Sequence, residues 1–173
     1  MANRASLWIY ACYRDSPAMV RLLLARGADV NAVDDKGRSP LRAAIENPEV
    51  LEPLLEHKAI PNLPFPNYRG SGSALLEVVR FSYKDYTQAL NILLKYGADT
   101  NLAHTDTGET PLMRAARYAP LNIVRLLLEH GADVNQVNNK GKSVLDLLGQ
   151  SPKCIEVREL CTEYIDLGKP VLK

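Results

Sequence analysis

A single block of sequence recurs along the chain. Residues 22–41, LLLARGADVNAVDDKGRSPL, align without a gap with residues 126–145, LLLEHGADVNQVNNKGKSVL. A third copy covers residues 93–112 with an extra residue before its second glycine, and a weaker fourth covers residues 54–64. The asparagine that closes each copy recurs with a period of ~33 residues, at Asn31, Asn62, Asn101 and Asn135. One such unit cannot bury its apolar face alone, so the period predicts units that stack on their neighbours.

Each part of the repeat has a local structural interpretation. A glycine follows an apolar helical stretch, where a left-handed residue ends a helix, at Gly27, Gly97 and Gly131. The following ADVN or ADTN segment supplies short polar side chains for a tight turn. Ser39-Pro40 and Thr110-Pro111 then place a hydroxyl at a helix N-cap and a proline at the first helical position. The repeat is therefore predicted to contain two helices joined by turns.

Composition excludes several classes of protein. The 173 residues carry a net charge of +1, with 24% charged and 46% hydrophobic side chains, so no basic field for nucleic acid is expected. No apolar run reaches the roughly 20 residues of a membrane helix. The three cysteines, Cys12, Cys154 and Cys161, lack metal-ligand spacing and indicate reduced thiols. We therefore expect no nucleic acid, no membrane segment and a cytoplasmic location, with secretion into a host cell left open.

The motifs SPLRAA, TPLMRAA, GADVN and GADTN resemble those of the ankyrin-repeat family, in register over nearly the whole chain. The resemblance implies an all-α ankyrin-repeat solenoid of stacked helix–turn–helix units with protruding β-turn or hairpin loops. It predicts a single domain over residues 1–165, with repeats at about 1–33, 34–64, 65–104, 105–137 and 138–165, and a C-terminal tail at 166–173. It also implies binding of a protein partner, as in other members of the family. The fold alone does not specify which partner or which chemistry.

Several repeats depart from the pattern. Repeat one aligns Ser6 with Thr110 but lacks a leading turn, and repeat five lacks a second GADVN, so both are interpreted as caps. In repeat two, Lys58 takes the position that glycine holds elsewhere, and the connection between its helices is about two residues short. Repeat three has longer segments at residues 62–75 and 78–92. These segments are either binding loops or neutral surface variation.

An arginine and an aromatic residue share one helix-end position in three of four repeats. The resemblance places this position on the concave face, where partners of the family bind. The predicted arginine–aromatic row consists of Tyr13, Arg14, Arg80, Phe81, Arg117 and Tyr118. Cations at the turn tips extend it, namely Lys36, Arg38, Arg69, Lys140 and Lys142, and Tyr83 adds an aromatic in repeat three. The acidic residues Asp35, Glu46, Asp106 and Glu109 interrupt it.

The row has two interpretations. Arginine and aromatic side chains are enriched at interface hot spots, and arginine binds carboxylates bidentately. The row would then bind a protein segment of acidic and apolar character. Alternatively, each arginine stacks on the neighbouring ring of its own repeat, or pairs with Glu46, and binds nothing.

Residues for catalysis are lacking in the sequence. His57 and His130 follow glutamate at one repeat position, near a helix C-terminus where a partial positive charge is favourable. No phosphate loop, metal-binding helix motif or Ser/His/Asp set is present. We therefore predict no enzyme, no catalytic residue, no metal site and no cofactor.

The resemblance raises two further points. The four closing asparagines match those that asparaginyl hydroxylases modify in some ankyrin repeats. The alternative is that each asparagine only bonds its own turn.

We expect a monomeric adaptor or regulator, and three other settings stay open. These are an effector secreted by a pathogen or symbiont, an inhibitor or immunity protein that blocks one enzyme or toxin, and a fragment of a larger ankyrin protein.

Overall fold

Ten α-helices form the described part of the chain, which in this computed structural model comprises residues 4–14, 16–65, 72–80 and 86–166. The helices are α1 (Arg4–Tyr13), α2 (Pro17–Ala25), α3 (Pro40–Ala43), α4 (Pro48–Glu56), α5 (Ala74–Val78), α6 (Thr87–Lys95), α7 (Pro111–Tyr118), α8 (Leu121–Glu129), α9 (Val144–Leu147) and α10 (Pro152–Asp166). No strand occurs in these ranges, apart from an isolated bridge between Phe65 and Gly72. The predicted all-α class is confirmed.

The helices pack as two rows. In the first row, α1 contacts α3, α5 contacts α7, and α7 contacts α9. The second row consists of α2, α4, α6, α8 and α10. Consecutive helices of this row are in contact. Leucines at one repeat position, Leu54, Leu93 and Leu127, are fully buried between the rows. The core is therefore continuous from repeat to repeat, as the predicted solenoid requires.

Helix starts and stops follow the predicted pattern. The hydroxyls of Ser39 and Thr110 accept bonds from the N–H groups three residues later, at 3.3 and 3.2 Å. Gly27, Gly97 and Gly131 all have positive φ angles. Lys58 also has a φ of 67° and is the only non-glycine residue in the described ranges with a positive value, which confirms its helix-stop position.

The short connection in repeat two shortens its first helix. Helix α3 has 4 residues, whereas the equivalent α7 has 8. The chain must turn towards α4 after a single helical turn. In α7 the longer helix carries Arg117 and Tyr118 on its last turn.

Three of the four closing asparagines join neighbouring repeats, so the interpretation that each bonds only its own turn is wrong for these three. The side-chain nitrogen of Asn101 donates to the Gly131 C=O at 3.0 Å, and its oxygen accepts from the Asp133 N–H at 2.8 Å. Asn31 bonds Lys58 and Ile60 in the same way, and Asn62 bonds Gly97 and Asp99.

In three of the four copies, an aspartate two residues before the asparagine supplies the local turn. The Asp29 carboxylate accepts from the Asn31 N–H at 3.0 Å, and Asp99 accepts from the Asn101 N–H at 2.8 Å. The two side chains of the motif thus have separate roles, one within the turn and one across the repeat boundary.

The lone tryptophan anchors repeat one. Trp8 on α1 is buried, and its indole N–H donates to the Asp29 C=O at 2.9 Å. This bond ties the first helix of the repeat to the turn that follows its second helix. The ring also belongs to the buried core that continues into repeat two.

Candidate functional site

The first row of helices lines a continuous surface. A cavity of about 470 Å³ lies against Tyr10, Tyr13 and Arg42. It adjoins a second cavity of about 220 Å³, because Tyr13 and Arg42 line both. Glu77 joins the second cavity to a third of about 290 Å³, which reaches Tyr118. We call the residues along this path from Tyr10 to Tyr118 the inner surface.

Arg14 and Tyr13 do not form the pair that the sequence suggested. The Arg14 guanidinium carbon lies 5.7 Å from the centre of the Tyr10 ring, four residues earlier on the same helix. Residues four apart lie on one helical face, whereas adjacent residues diverge. Tyr13 is 70% exposed and stands beside this cation–π pair.

Arg117 and Tyr118 do contact one another. The Arg117 guanidinium carbon lies 5.0 Å from the ring centre, and its Nη2 donates to the Tyr118 hydroxyl at 2.8 Å. Its Nη1 bonds Glu109 Oε1 at 2.7 Å. This is the stacking within one repeat that the alternative interpretation predicted. Both side chains nevertheless remain exposed to solvent.

Two glutamates on the inner surface are each shared between two arginines. Glu77 lies 3.7 Å from Arg42 Nη2 and 3.5 Å from Arg80 Nη1. Glu109 lies 3.4 Å from Arg114 Nε and 2.7 Å from Arg117 Nη1. The two carboxylates therefore lie between four guanidinium groups of the inner surface.

Three of these residues were missed from the sequence. Arg42, Glu77 and Arg114 lie on the inner surface but were not predicted to do so. Glu77 and Arg114 each lie four residues after the N-cap hydroxyl of their repeat, so repeat alignment was the signal that could have found them. Glu109, which was predicted to interrupt the row, pairs with Arg117 of the row and with Arg114.

Arg38 is tied into its own turn. Its Nη2 lies 2.6 Å from Asp34 Oδ2, and Asp34 Oδ1 accepts from the backbone N–H groups of Lys36 and Arg38. Burial alone would raise the pKa of Asp34, but the bonds from Arg38 and Lys36 outweigh burial and lower that pKa below its ordinary value. Arg38 thus stabilises the turn while it lines the largest cavity of the inner surface.

The remaining predicted residues fall into two groups. The lysines at the turn tips are exposed, and those of repeat five follow Asn138, whose side chain accepts from the N–H groups of Lys140 and Lys142. Three predicted residues, Arg69, Phe81 and Tyr83, lie outside the described residues.

Metal ligands and membrane helices were also sought in the described ranges. No group of three or more His, Cys, Asp or Glu side chains there could hold a metal ion. His57 and His130 each bond the C=O four residues earlier at 2.9 Å, near the ends of their helices. Across the same residues, none of the helices is long and apolar enough to cross a membrane.

Comparison with known proteins agrees with the fold. Residues 2–64 and 73–166 match the family described as ankyrin repeats (3 copies). The chain is 36% identical over 133 residues to the mouse B-cell lymphoma 3 protein homolog, covering 75% of this chain and 29% of that protein. It is 32% identical over 154 residues to ankyrin repeat protein FPV031 of fowlpox virus, covering 84% of this chain and 43% of that protein.

A third relative is human ankyrin repeat and SOCS box protein 6, 34% identical over 123 residues, or 70% of this chain and 27% of that protein. The chain thus spans less than half the length of each of these relatives. The repeat pattern, the two rows of helices and the family match agree, and the chain belongs to the ankyrin-repeat family.

Proposed function

We propose that this chain binds a protein partner through its inner surface and acts as an adaptor or regulator. Ankyrin repeats generally mediate protein–protein interaction, and the family is typically non-enzymatic. One observation carries the assignment to this surface. Arg114 and Arg117 share the Glu109 carboxylate there, beside the exposed ring of Tyr118.

The exposed guanidinium group of Arg117 supports a partner with acidic side chains. A carboxylate of the partner can bond this group beside Glu109, because a guanidinium group can bond two oxygens at once. The exposed rings of Tyr10, Tyr13 and Tyr118 supply apolar area beside these charges. The proposed partner is therefore a protein segment in which carboxylates alternate with apolar side chains.

Other parts of the proposal rest on sequence alone. The repeat-three loops, with Arg69, Phe81 and Tyr83, extend the proposed surface. A division into five repeats over residues 1–165, a monomeric state and a cytoplasmic location are also proposed. An effector and an inhibitor would use the same surface, so the identity of the partner separates them from an adaptor.

The test compares three forms of the protein. One variant changes Arg14, Arg80, Arg117 and Tyr118 together to alanine. A matched control changes Arg21, Arg26 and Arg125 to alanine, because these arginines are exposed but lie on the second row of helices or just after it. Circular dichroism and melting curves establish that all three forms are folded.

Affinity capture with mass spectrometry then identifies bound proteins, and the dissociation constant of each is measured with purified components. We expect the natural chain and the control to retain the partner and the quadruple variant to lose it. Binding through paired charges should also weaken as salt concentration rises. A partner that binds all three forms equally would show that the inner surface is not the binding site.

A further inference from the structure

The cavity of the inner surface that reaches Tyr118 has the size of a site for one side chain. Its volume is about 290 Å³, whereas a protein cavity of roughly 150 Å³ can already hold benzene. Phe65 and Leu76 form its base, and each is only 1% exposed. Tyr118, which is 47% exposed, lies at its edge. The cavity can therefore admit one aromatic ring, and core packing holds its base in place.

The acidic and basic residues that line this cavity balance one another in the described part of the chain. Glu77 lies 3.5 Å from Arg80 Nη1, and Glu109 lies 3.4 Å from Arg114 Nε. Each carboxylate of the lining thus has an arginine beside it. A charged occupant of either sign would bring a like charge against one member of each pair and would lose its own hydration. The lining therefore favours an uncharged occupant.

Glu109 can still accept a hydrogen bond from such an occupant. Its Oε2 pairs with Arg114 and its Oε1 with Arg117, whereas an ionised carboxylate offers about four acceptor positions. A hydroxyl group on the occupant can donate to Glu109 without displacing either arginine. The polar part of the cavity therefore suits a ring that carries a hydrogen-bond donor.

Arginines of the inner surface already pack on aromatic rings. The guanidinium carbon of Arg42 lies 5.5 Å from the centre of the Phe65 ring, and that of Arg117 lies 5.0 Å from the centre of the Tyr118 ring. Arg80 and Arg114 also line the cavity, so a ring inside it lies beside two further guanidinium groups. Cation–π attraction and the apolar stems of these arginines then favour an aromatic occupant.

We propose that this cavity, which we call the ring pocket, holds the side chain of a tyrosine from the partner segment. The tyrosine ring packs beside Tyr118, Arg80 and Arg114, and its hydroxyl donates to Glu109. The proposal rests on the proposed function, since the tyrosine belongs to the same partner that binds the inner surface. It adds to that partner one uncharged aromatic position among the carboxylates.

Small analogues of side chains test the ring pocket without any partner. The probes are 4-methylphenol for tyrosine, toluene for phenylalanine, 4-methylbenzoate for an anion and 4-methylbenzylammonium for a cation. Each is titrated into the natural chain while the backbone amide signals are followed by NMR. Gly72 and Thr107 report on the pocket that they line, and Gly149, between α9 and α10, serves as the distant reference.

We expect 4-methylphenol to shift the signals of Gly72 and Thr107 and to leave that of Gly149 in place. It should bind at least about tenfold more tightly than either charged probe, because the pocket offers no net countercharge for them. Toluene should bind about fivefold more weakly than 4-methylphenol, because it cannot donate to Glu109.

Two glycine substitutions provide matched variants. Gly72 lines the ring pocket, and an added Cβ there would meet only the Leu76 Cβ, at 3.8 Å, so Gly72→Leu can fill part of the pocket without a backbone clash. Gly149→Leu places the same side chain where an added Cβ would meet nothing within 4 Å. The first variant should weaken binding of 4-methylphenol by about tenfold or more, and the second should leave it unchanged.

Melting curves establish that both variants are folded, and the signals of the natural chain keep the test decisive if Gly72→Leu does not fold. Charged probes that bind as tightly as 4-methylphenol, or shifts that do not favour Gly72 and Thr107, would overturn the proposal. Toluene that binds as tightly as 4-methylphenol would overturn the assignment to tyrosine. These outcomes leave the proposed function standing, because partner capture with the quadruple variant tests it separately. A captured partner that excess 4-methylphenol does not weaken would also overturn the ring pocket.

Discussion

Replacing Asn101 with alanine tests the bonds that join neighbouring repeats. The change removes two hydrogen bonds, one to the Gly131 C=O at 3.0 Å and one from the Asp133 N–H at 2.8 Å. A protein hydrogen bond contributes about 0.5–1.5 kcal/mol to stability, and an unpaired buried group costs more than this. Because Asn101 is half-buried, we expect a loss of about 2 kcal/mol in the free energy of unfolding.

Asn135 provides a matched control, since it closes a copy of the same motif. It is exposed, and no described residue bonds its side chain. Asn135→Ala should therefore change stability by less than about 0.5 kcal/mol. Equilibrium unfolding in urea measures both variants. With a slope of about 2 kcal/mol per molar urea, Asn101→Ala should lower the midpoint by about 1 M.

Equal effects of the two substitutions would refute this reasoning. The asparagine would then act within its own turn, as its short polar side chain first suggested. A loss confined to Asn101→Ala would instead show that the motif stabilises the boundary between repeats. Substitution at Asn31 or Asn62 should follow Asn101, because each makes the same pair of bonds.

Three further predictions follow from the backbone and from ionisable groups. Lys58→Gly should raise the melting temperature slightly, because a left-handed lysine costs about 1 kcal/mol relative to glycine; a lower melting temperature would contradict the strained geometry. Burial raises the pKa of Cys12 to about 12 and that of Cys161 to about 11, whereas a hydrogen bond with a serine side chain lowers the pKa of Cys154. Iodoacetamide at mildly alkaline pH should therefore label Cys154 in the folded protein and the other two only in denaturant, as peptide mass mapping would show. Because the pKa of Asp34 is lowered in the folded state, its carboxylate stabilises the fold above the unfolded pKa of about 3.9, and this contribution is lost as pH falls through the folded value. Asp34→Asn should thus lower stability at neutral pH, with a difference that shrinks in acid, measured by urea unfolding at a series of pH values.

The fold could be predicted from the sequence because its signals are local and recur. A glycine that ends a helix, a hydroxyl that caps one and a leucine that is buried each act within a few residues, as at Gly97, Thr110 and Leu93. The positive φ of Lys58 could be predicted for the same reason, from its position in the repeat.

The partners of polar side chains could not be predicted in this way. Asn101 bonds a backbone about 30 residues later, and this pairing exists only once the repeats are stacked. Arg14 stacks on Tyr10 and not on Tyr13, because the helix brings residues four apart together. Glu109 was predicted to interrupt the arginine–aromatic row, yet it forms ion pairs with Arg114 and Arg117.

The position of Trp8 makes one end of the molecule separately visible to spectroscopy. Trp8 is the only tryptophan in the sequence, and its indole N–H donates to the Asp29 C=O of repeat one. Its fluorescence therefore reports on the N-terminal end of the stack, whereas circular dichroism averages over all ten described helices. When the two signals are followed through the same denaturation, a fluorescence change that comes first would mean that the stack unravels from its N-terminal end. Superimposable curves would mean that the repeats unfold as one cooperative unit.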